Sequence, residues 1–253
     1  MAMNFDFNGQ TALVTGASQG IGRAIAKLLA GQGVKVAMAA RRVALLEALR
    51  DEIRAQGGAE PAVIEADLYA EGAAERLADE AARALGRVDI LVNAAGGSRP
   101  ISFDASKAVW MEGLTLNFLR IRELTHALVP GMRARRWGRV INLTGTSEPR
   151  VLIAAFSAKA AVHAWAKGLS REIAKDGVTI NSIQPGRIRS EQIAKRYPTL
   201  GDELAFAREE IPAGRFGEPE ELAHLAVFLA SPLASYITGT VIPVDGGMYR
   251  FAF

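Results

Sequence analysis

The chain has 253 residues, of which 49% are hydrophobic, and its 30 Lys and Arg against 27 Asp and Glu give a net charge of +3. This composition is typical of a globular chain and argues against a disordered one. Because the chain has no cysteine, disulfides, thiolate nucleophiles and cysteine-ligated zinc are excluded.

The sequence carries no signal for a membrane or nucleic-acid partner. No apolar run approaches the roughly 18 residues of a membrane span, and the start, MAMNFDFNGQ, lacks the pattern of a signal peptide. A short basic cluster is interpreted as a solvated helix end. It comprises Arg133, Arg135, Arg136 and Arg139. We expect a cytoplasmic protein that acts on a small-molecule substrate, and histidine spacing indicates no metal site.

Short apolar runs alternate with helical stretches along the chain. Seven runs are almost continuously apolar, as strands covered on both faces are. They lie at residues 10–15, 34–40, 61–66, 88–94, 138–144, 178–183 and 240–244. The stretches between them have helical spacing and stop at glycines. This alternation predicts one α/β domain over residues 1–253, with a Rossmann-type doubly wound parallel sheet.

A glycine-rich loop follows the first predicted strand and opens a helix. Within TGASQGIG, Gly16, Gly20 and Gly22 permit a tight turn and close packing of helix on strand. They also let backbone amides approach a pyrophosphate at the helix N-terminus. Turn chemistry alone would explain three glycines, but their position between strand and helix favours a dinucleotide site.

The end of the second strand predicts which dinucleotide is bound. An acidic residue there would bind the ribose 2′-hydroxyl of NAD. The sequence instead has Arg41 and Arg42 after two alanines, which favours the 2′-phosphate of NADP(H) over NAD(H). Two observations leave the alternative open: arginines are ordinary at a helix start, and Gln19 in the glycine loop supplies no second cation.

The segment 186–217 interrupts the alternation of strands and helices. It is rich in proline and glycine and separates the sixth strand from the last predicted helix. A long insertion of this kind is usually a binding loop or lid, so we expect it to cover the substrate. Arg150, Arg187 and Arg189 flank this region and could clamp a carboxylate or phosphate, or be solvated loop charges.

Eight pieces of the sequence recur together in one known family. They are TGASQGIG (15–22), ADL (66–68), NAAG (93–96), Asn117, GRVINLT (138–144), SAKAAV (157–162), INSIQPG (180–186) and PVDGG (243–247). In order and spacing they resemble the classical short-chain dehydrogenase/reductase family, in the form of its 3-oxoacyl-acyl-carrier-protein reductases, over nearly the whole chain. The resemblance implies an NAD(P)-dependent enzyme that transfers a hydride between nicotinamide and a carbonyl or secondary alcohol carbon. It also implies a homotetramer.

The resemblance further implies which residues contact the cofactor. The glycine loop would hold the phosphates, residues after the second to fourth strands would meet the adenosine, and those after the sixth strand the nicotinamide. The implied contacts are Gly16, Ser18, Gln19, Gly20, Ile21, Gly22, Arg41, Arg42, Asp67, Leu68, Asn93, Ala94, Gly96, Lys159, Pro185, Gly186, Ile188 and Ser190.

The proton-transfer residues of that family are only partly present. Its members use a tyrosine that passes the proton, a lysine four residues later that binds the ribose, a serine at the substrate oxygen and a water-holding asparagine. Lys159 and Asn117 match the lysine and the asparagine. Four residues before Lys159 stands Ala155, and a one-residue deletion would place Phe156 there, so neither alignment supplies a phenol. Gly145 follows INLT, near where the serine is expected.

A replacement proton donor is therefore needed for redox chemistry. Tyr197 in the 186–217 segment is a candidate phenol, Ser147 could orient a substrate oxygen, and Glu148 could be a base; each is otherwise an ordinary loop residue. The leading prediction is an NADP(H)-linked oxidoreductase with an atypical proton donor. The alternatives are a non-redox enzyme on the same scaffold (a lyase, isomerase or dehalogenase-like activity) and a catalytically silent NADP-binding subunit.

Overall fold

The computed structural model describes residues 5–7, 9–146 and 148–251. Within these residues, seven parallel strands form one sheet in the order β3-β2-β1-β4-β5-β6-β7. The strands are β1 Thr11–Thr15, β2 Lys35–Ala40, β3 Ala62–Glu65, β4 Ile90–Asn93, β5 Gly138–Leu143, β6 Val178–Pro185 and β7 Val241–Val244. Each coincides with one of the seven apolar runs, so the predicted parallel sheet is confirmed.

Helices connect the strands in the predicted alternation. They are α1 Gly20–Gly31, α2 Val43–Ala55, α3 Ala73–Leu85, α4 Lys107–Leu114, α5 Arg120–Ala134, α6 Ala154–Ile173, α7 Glu191–Arg196, α8 Leu200–Glu210 and α9 Pro219–Ala230. Between α4 and α5 the chain continues as a π-helical turn, Thr115–Leu119. In the part of the chain that the structure describes, no helix is both long and apolar enough to cross a membrane.

The sheet separates two layers of helices. One layer contains α1, α2 and α9, which bury residues such as Ile25 against the sheet. The other contains α3, α5 and α6, which bury residues such as Leu124. The neighbouring residues Leu13 and Val14 of β1 enter opposite cores, because successive side chains of a strand point to opposite faces. Burial on both faces explains the continuous apolar runs, and the doubly wound α/β fold is confirmed.

The strand order reverses between β1 and β4, and this positions the site. The connections that follow β1 and β4 lead to opposite sides of the sheet, so a crevice opens at the carboxyl ends of these two strands. The Thr15 hydroxyl accepts hydrogen bonds from the backbone N–H groups of Ala94 and Ala95, each 3.1 Å away. The chain after β4 is thereby held beside the loop that follows β1.

One member of the predicted solvated basic cluster is buried instead. Arg139 is 2% exposed, stacks on the Trp137 ring at 4.5 Å, and donates to the carbonyl oxygens of Gly138, Gly177 and Ser231. Desolvation lowers the pKa of its guanidinium to about 10. The interpretation as a helix-end charge is wrong for Arg139, which joins β5 to the chain ahead of β6 and after α9.

The 186–217 segment is more ordered than a plain loop. It contains α7 and α8 and surrounds a small core that includes the buried ring of Phe216. Its two ends are paired, since Gly217 N–H donates to the Arg187 carbonyl and Arg189 N–H donates to the Gly217 carbonyl, both at 2.9 Å. The base of the segment is therefore fixed, and its role as a lid stays a prediction.

Candidate cofactor and substrate site

A cleft of about 560 Å³, here called the long cleft, runs across the carboxyl ends of the strands. Its lining includes every predicted cofactor contact except Asn93. These residues are Gly16, Ser18, Gln19, Gly20, Ile21, Gly22, Arg41, Arg42, Asp67, Leu68, Ala94, Gly96, Lys159, Pro185, Gly186, Ile188 and Ser190. Side chains from distant parts of the chain thus meet in one continuous groove.

The glycine loop leaves no room for side chains. Gly16 has a φ of +66°, and a Cβ there would lie 2.8 Å from the Ala94 carbonyl oxygen. A Cβ on Gly22 would lie 2.5 Å from the carbonyl oxygen of Gly16. Within the described residues the buried Oε1 of Gln19 has no hydrogen-bond partner. The loop thus offers bare backbone at a helix N-terminus, which fits the phosphates of a dinucleotide, whereas the amide oxygen of Gln19 can pair only with a donor such as a ribose hydroxyl.

Two arginines stand at the far end of the long cleft, beyond β2. The Arg41 guanidinium lies over the Tyr69 ring, 5.8 Å from its centroid. Arg42 Nη1 lies 3.1 Å from both carboxylate oxygens of Glu191. Asp67 accepts a hydrogen bond from the backbone N–H of Tyr69 at 3.1 Å. The predicted adenosine residues are therefore assembled, together with two partners that the sequence did not indicate.

Helix α7 crosses the long cleft from wall to wall. Glu191 at its start reaches Arg42 on one side. On the other side the Gln192 side-chain amide donates to the carbonyl and hydroxyl oxygens of Ser98, at 2.9 and 2.8 Å. The Ser190 hydroxyl caps the helix by accepting from Ile193 N–H at 3.3 Å. These contacts hold α7 beside the glycine loop, where a Cβ on Gly20 would lie 3.5 Å from Ser190 Cβ.

Asn93 does not line the long cleft. Its side chain is 2% exposed and donates to Asn142 Oδ1 at 2.9 Å and to Thr125 Oγ1 at 3.3 Å. These bonds join β4 to β5 and α5 beneath the cleft. The structure gives the Asn93 side chain a supporting position, and the implied contact of this residue with the cofactor stays a prediction.

Asn117 lies in the π-helical turn and faces the chain after β4. Its Nδ2 donates to the carbonyls of Gly113 and Gly97 at 2.9 and 3.1 Å, and its Oδ1 accepts from Gly97 N–H at 3.3 Å. A Cβ on Gly96 would lie 3.1 Å from that Oδ1. Asn117 thus fixes the wall of the cleft beside Lys159, and its role in holding a water stays a prediction.

Lys159 lies in the second turn of α6 and lines the long cleft. A Cβ on either Gly96 or Gly145 would lie 3.8 Å from its Nζ, so bare backbone surrounds the ammonium. Among the described residues no carboxylate pairs with it, and burial lowers its pKa to about 8. An ammonium without a fixed counter-charge at the cleft wall is available to donate hydrogen bonds to a ligand.

The structure distinguishes the two residues that could replace the family tyrosine. Ala155 is 3% exposed and does not line the cleft, whereas Phe156 does. A Cβ on Gly145 would lie 3.8 Å from the Phe156 ring and 3.2 Å from Lys159 Cδ. Phe156 and Lys159 are three residues apart and share a helix face. The ring of Phe156 therefore stands beside the ammonium, where a phenol would be expected.

Of the candidate proton donors, Tyr197 and Glu148 do not lie beside Phe156 and Lys159 in the long cleft. The Tyr197 ring packs against Phe206 and Phe216, with centroids 5.1 and 5.2 Å apart, and lines neither described cleft. Ser147 lies outside the described residues. Glu148 accepts a hydrogen bond from Arg250 N–H at 3.0 Å and lines only the smaller cleft described below.

A histidine one turn after Lys159 on α6 lies near the long cleft. Nε2 of His163 is 2.8 Å from the hydroxyl of Thr144, which lines the long cleft. Desolvation, and next the charge of Lys159, lower the pKa of this imidazole. In the sequence, the spacing of one helical turn between Lys159 and His163 already indicated that this histidine lies near the site. Within the described chain no three His, Asp or Glu side chains are grouped to hold a metal ion.

A smaller cleft of about 80 Å³, the side cleft, joins the long cleft near Phe156. Five residues line both: Thr146, Phe156, Pro185, Arg187 and Arg196. Of the three arginines predicted at the mouth, Arg150 pairs with Glu210, and Arg189 pairs with Glu203 and Glu218. Arg187 is the member of that trio without a carboxylate among the described residues.

Comparison with known proteins decides the family. Residues 16–249 match the family model described as Enoyl-(Acyl carrier protein) reductase. The chain is 37% identical over 249 residues to the 3-oxoacyl-acyl-carrier-protein reductase of Vibrio cholerae, covering 96% of this chain and 99% of that protein. The chain belongs to the short-chain dehydrogenase/reductase family. It is thus a member of an oxidoreductase family, and the resemblance found in the sequence is confirmed.

Solved short-chain dehydrogenases/reductases share the fold over almost the whole chain. The 3-oxoacyl-acyl-carrier-protein reductase of Agrobacterium tumefaciens with NADP bound has a TM-score of 0.90 and 32% identity, covering 96% of this chain and 95% of that one. The L-sorbose reductase of Gluconobacter frateurii, complexed with NADPH and L-sorbose, has a TM-score of 0.94 and 30% identity, covering 98% and 100%.

We expect Gly22→Ala to weaken NADPH binding at least about tenfold, because the new methyl would push α1 away from the Gly16 carbonyl. Gly31→Ala is the matched control in the same helix, since a Cβ there meets nothing within 4 Å. It should leave binding unchanged and stability equal or slightly higher. Fluorescence titration and thermal unfolding measure both. Equal losses in the two variants would contradict the cradle geometry.

We expect Lys159→Met to raise the free energy of unfolding near neutral pH by up to about 3 kcal/mol, since it removes a desolvated charge. Burial places the pKa of Lys159 in the folded protein at about 8, below the ordinary lysine value of 10.5. At pH values between these two pKa values the unfolded chain binds more protons than the folded protein does. The contribution of Lys159 to the free energy of unfolding should therefore increase as the pH rises from about 8 to 10.5. Urea unfolding at several pH values measures the difference between variant and native protein, which should vanish at high pH. A pH-independent difference would refute the burial of the charge.

Proposed function

We propose that the protein is an NADP(H)-dependent oxidoreductase that transfers a hydride between the nicotinamide and a carbonyl or secondary alcohol carbon. The observation that carries this proposal is one continuous cleft lined by the glycine loop, by Arg41 and Arg42, and by Lys159. Relatives with the same fold were solved with NADP or NADPH. Two arginines in place of an acidic residue after β2 support NADP(H) over NAD(H).

The bound nicotinamide would supply the hydride, and the residues of this chain would supply orientation and a proton. Lys159, which lines the long cleft, would donate hydrogen bonds to the ribose hydroxyls, and Asn117 fixes the adjoining wall. Phe156 presents an apolar ring where it excludes water from the reacting carbon. With a pKa of about 8, Lys159 is protonated at neutral pH yet able to release a proton. We propose it as the acid, directly or through a water.

Losing the phenol would slow the reaction without forbidding it. General acid catalysis typically accelerates a reaction ~10²–10⁴-fold. Holding the hydride donor against its acceptor accelerates it separately. Tyr197 would have to leave its aromatic cluster to act as the donor. Ser147 keeps its predicted role at the substrate oxygen. The 186–217 segment is proposed as the lid, because α7 already spans the long cleft.

We expect Glu191→Gln to tighten NADPH binding about twofold to fivefold, because Arg42 is then free for the 2′-phosphate. NADH has no such phosphate, so its affinity should stay unchanged. Glu203→Gln is the matched control, since that carboxylate pairs with Arg189 and lines neither described cleft. Fluorescence titrations at low salt measure all three proteins. Equal tightening for NADPH and NADH would rule out competition for the 2′-phosphate.

The proposed function is tested by NADPH oxidation against a panel of ketones, oxo acids and 3-oxoacyl thioesters. We expect the native protein to turn over slowly and Lys159→Ala to abolish this turnover. In Phe156→Tyr the turnover rate should increase about a hundredfold or more, because this substitution places a phenol beside the ammonium. Phe103→Tyr, at a side chain 96% exposed, is the control for an added hydroxyl.

Two outcomes would overturn the proposal in different ways. If NADPH binds but native protein and Lys159→Ala show the same background rate on every compound, a catalytically silent subunit is the better account. If neither pyridine dinucleotide binds, the cofactor assignment itself is wrong.

We also propose that the protein assembles as a homotetramer. In the single chain α6 leaves Ala160, Ala164 and Gly168 exposed at four-residue intervals. Small residues on one helix stripe permit close approach of a second helix. Sedimentation analysis gives the mass of the assembly, and a monomer at working concentration would refute the proposal.

A further inference from the structure

We propose that the substrate carries a carboxylate bound by Arg187 where the long and side clefts meet, which makes it an oxo acid or the corresponding hydroxy acid. The inference rests on the proposed function and narrows its substrate class. Arg187 lines both clefts, as does Phe156 beside Lys159. A substrate whose oxo group lies at Phe156 and Lys159 therefore extends past this guanidinium.

The guanidinium of Arg187 lacks the partners that its neighbours have. Within the described chain Arg42, Arg150 and Arg189 each pair with a glutamate, whereas Arg187 has no ion pair and its Nε is buried without a hydrogen-bond partner. The two terminal nitrogens of Arg187 are not buried and likewise have no partner in the described chain. They present N–H donors in the planar fork that fits a carboxylate.

The acidic residues of the side cleft do not fill this role. Glu210 is paired with Arg150 and Arg250, and the Arg150 guanidinium holds the pKa of that carboxyl below its ordinary value. Asp245 accepts backbone hydrogen bonds from residues 247 and 249 at 2.9 and 2.8 Å. Glu148 accepts one from residue 250 at 3.0 Å. These carboxylates keep their charges, but within the described chain none of them forms an ion pair with Arg187, so its guanidinium has no direct counter-ion.

Arg187 is also held in place before any ligand arrives. Its carbonyl accepts from Gly217 N–H at 2.9 Å at the fixed base of the 186–217 segment. Its guanidinium lies over the Phe206 ring, 5.0 Å from the centroid. Arg196 lines both clefts too and has no ion pair in the described chain, so a second cation is near. A fixed guanidinium loses little freedom on binding, which favours affinity.

The carboxylate of the substrate takes no part in the bonds that form and break. The hydride leaves NADPH, which is oxidised to NADP⁺, and forms a C–H bond at the oxo carbon, whose C=O π bond breaks. A proton goes to the resulting alkoxide oxygen, so the oxo group becomes a secondary alcohol. The carboxylate keeps its charge throughout and anchors the molecule.

The test compares α-, γ- and δ-oxo acids with their methyl esters, which keep the oxo group and lose the charge. With saturating NADPH, we expect kcat/KM for the preferred acid to exceed that of its ester at least about tenfold. In Arg187→Met this ratio should fall to near one, and Arg187→Lys should restore part of it. Lys195→Met removes an exposed charge of the same segment outside both clefts, and the ratio should persist.

Calorimetry of the same acids and esters on the NADP⁺-saturated protein gives a readout independent of turnover. Acids that bind native protein but not Arg187→Met support the subsite. Esters that bind or react as well as acids, or a ratio unchanged in Arg187→Met, would overturn it while leaving the oxidoreductase intact. Reaction with dihydroxyacetone phosphate but with no oxo acid would overturn the carboxylate assignment. Failure to bind NADP⁺ or NADPH would instead refute the proposed function.

Discussion

The contact between the glycine loop and the chain after β4 is the constraint on which the site depends. Gly16 and Gly22 allow backbone to meet backbone at distances that any Cβ would block, and the Thr15 hydroxyl fastens the two segments together. Because β1 and β4 are neighbours whose connections diverge, this contact lies at the only reversal of strand order in the described sheet. Everything proposed for the cleft presupposes that junction.

Residue types predicted the fold well, because a strand covered on both faces must be apolar throughout, and all seven such runs became strands. The lining of the long cleft was also largely predictable from the sequence motifs. The direction in which individual side chains point could not be predicted from the motifs. Asn93 matches its motif yet turns inward to Asn142, and Arg139 sits among charges yet is buried. Contacts across the cleft, such as Glu191 with Arg42, depend on where α7 folds and leave no local pattern.

Lys159 shows how a fold can keep a charge among small residues. Its ammonium is desolvated and has no counter-ion in the described chain, which disfavours the charged form and accounts for a pKa of about 8. A purely structural site would be better served by an apolar side chain. Beside it Phe156 presents an apolar ring to the long cleft, so the neighbour of the ammonium on this helix face can neither donate nor accept a proton.

The π-helical turn Thr115–Leu119 lets the helical stretch from α4 to α5 hold an extra residue. A π turn accommodates one residue more than the regular helix around it. In a regular helix that extra residue would rotate everything beyond it by about 100°, because there are 3.6 residues per turn. The wide turn absorbs this rotation, so Asn117 reaches the Gly97 backbone while α5 keeps its buried stripe. Loss of one residue should therefore be tolerated within this turn far better than inside α5, where it would turn the buried stripe away from the core.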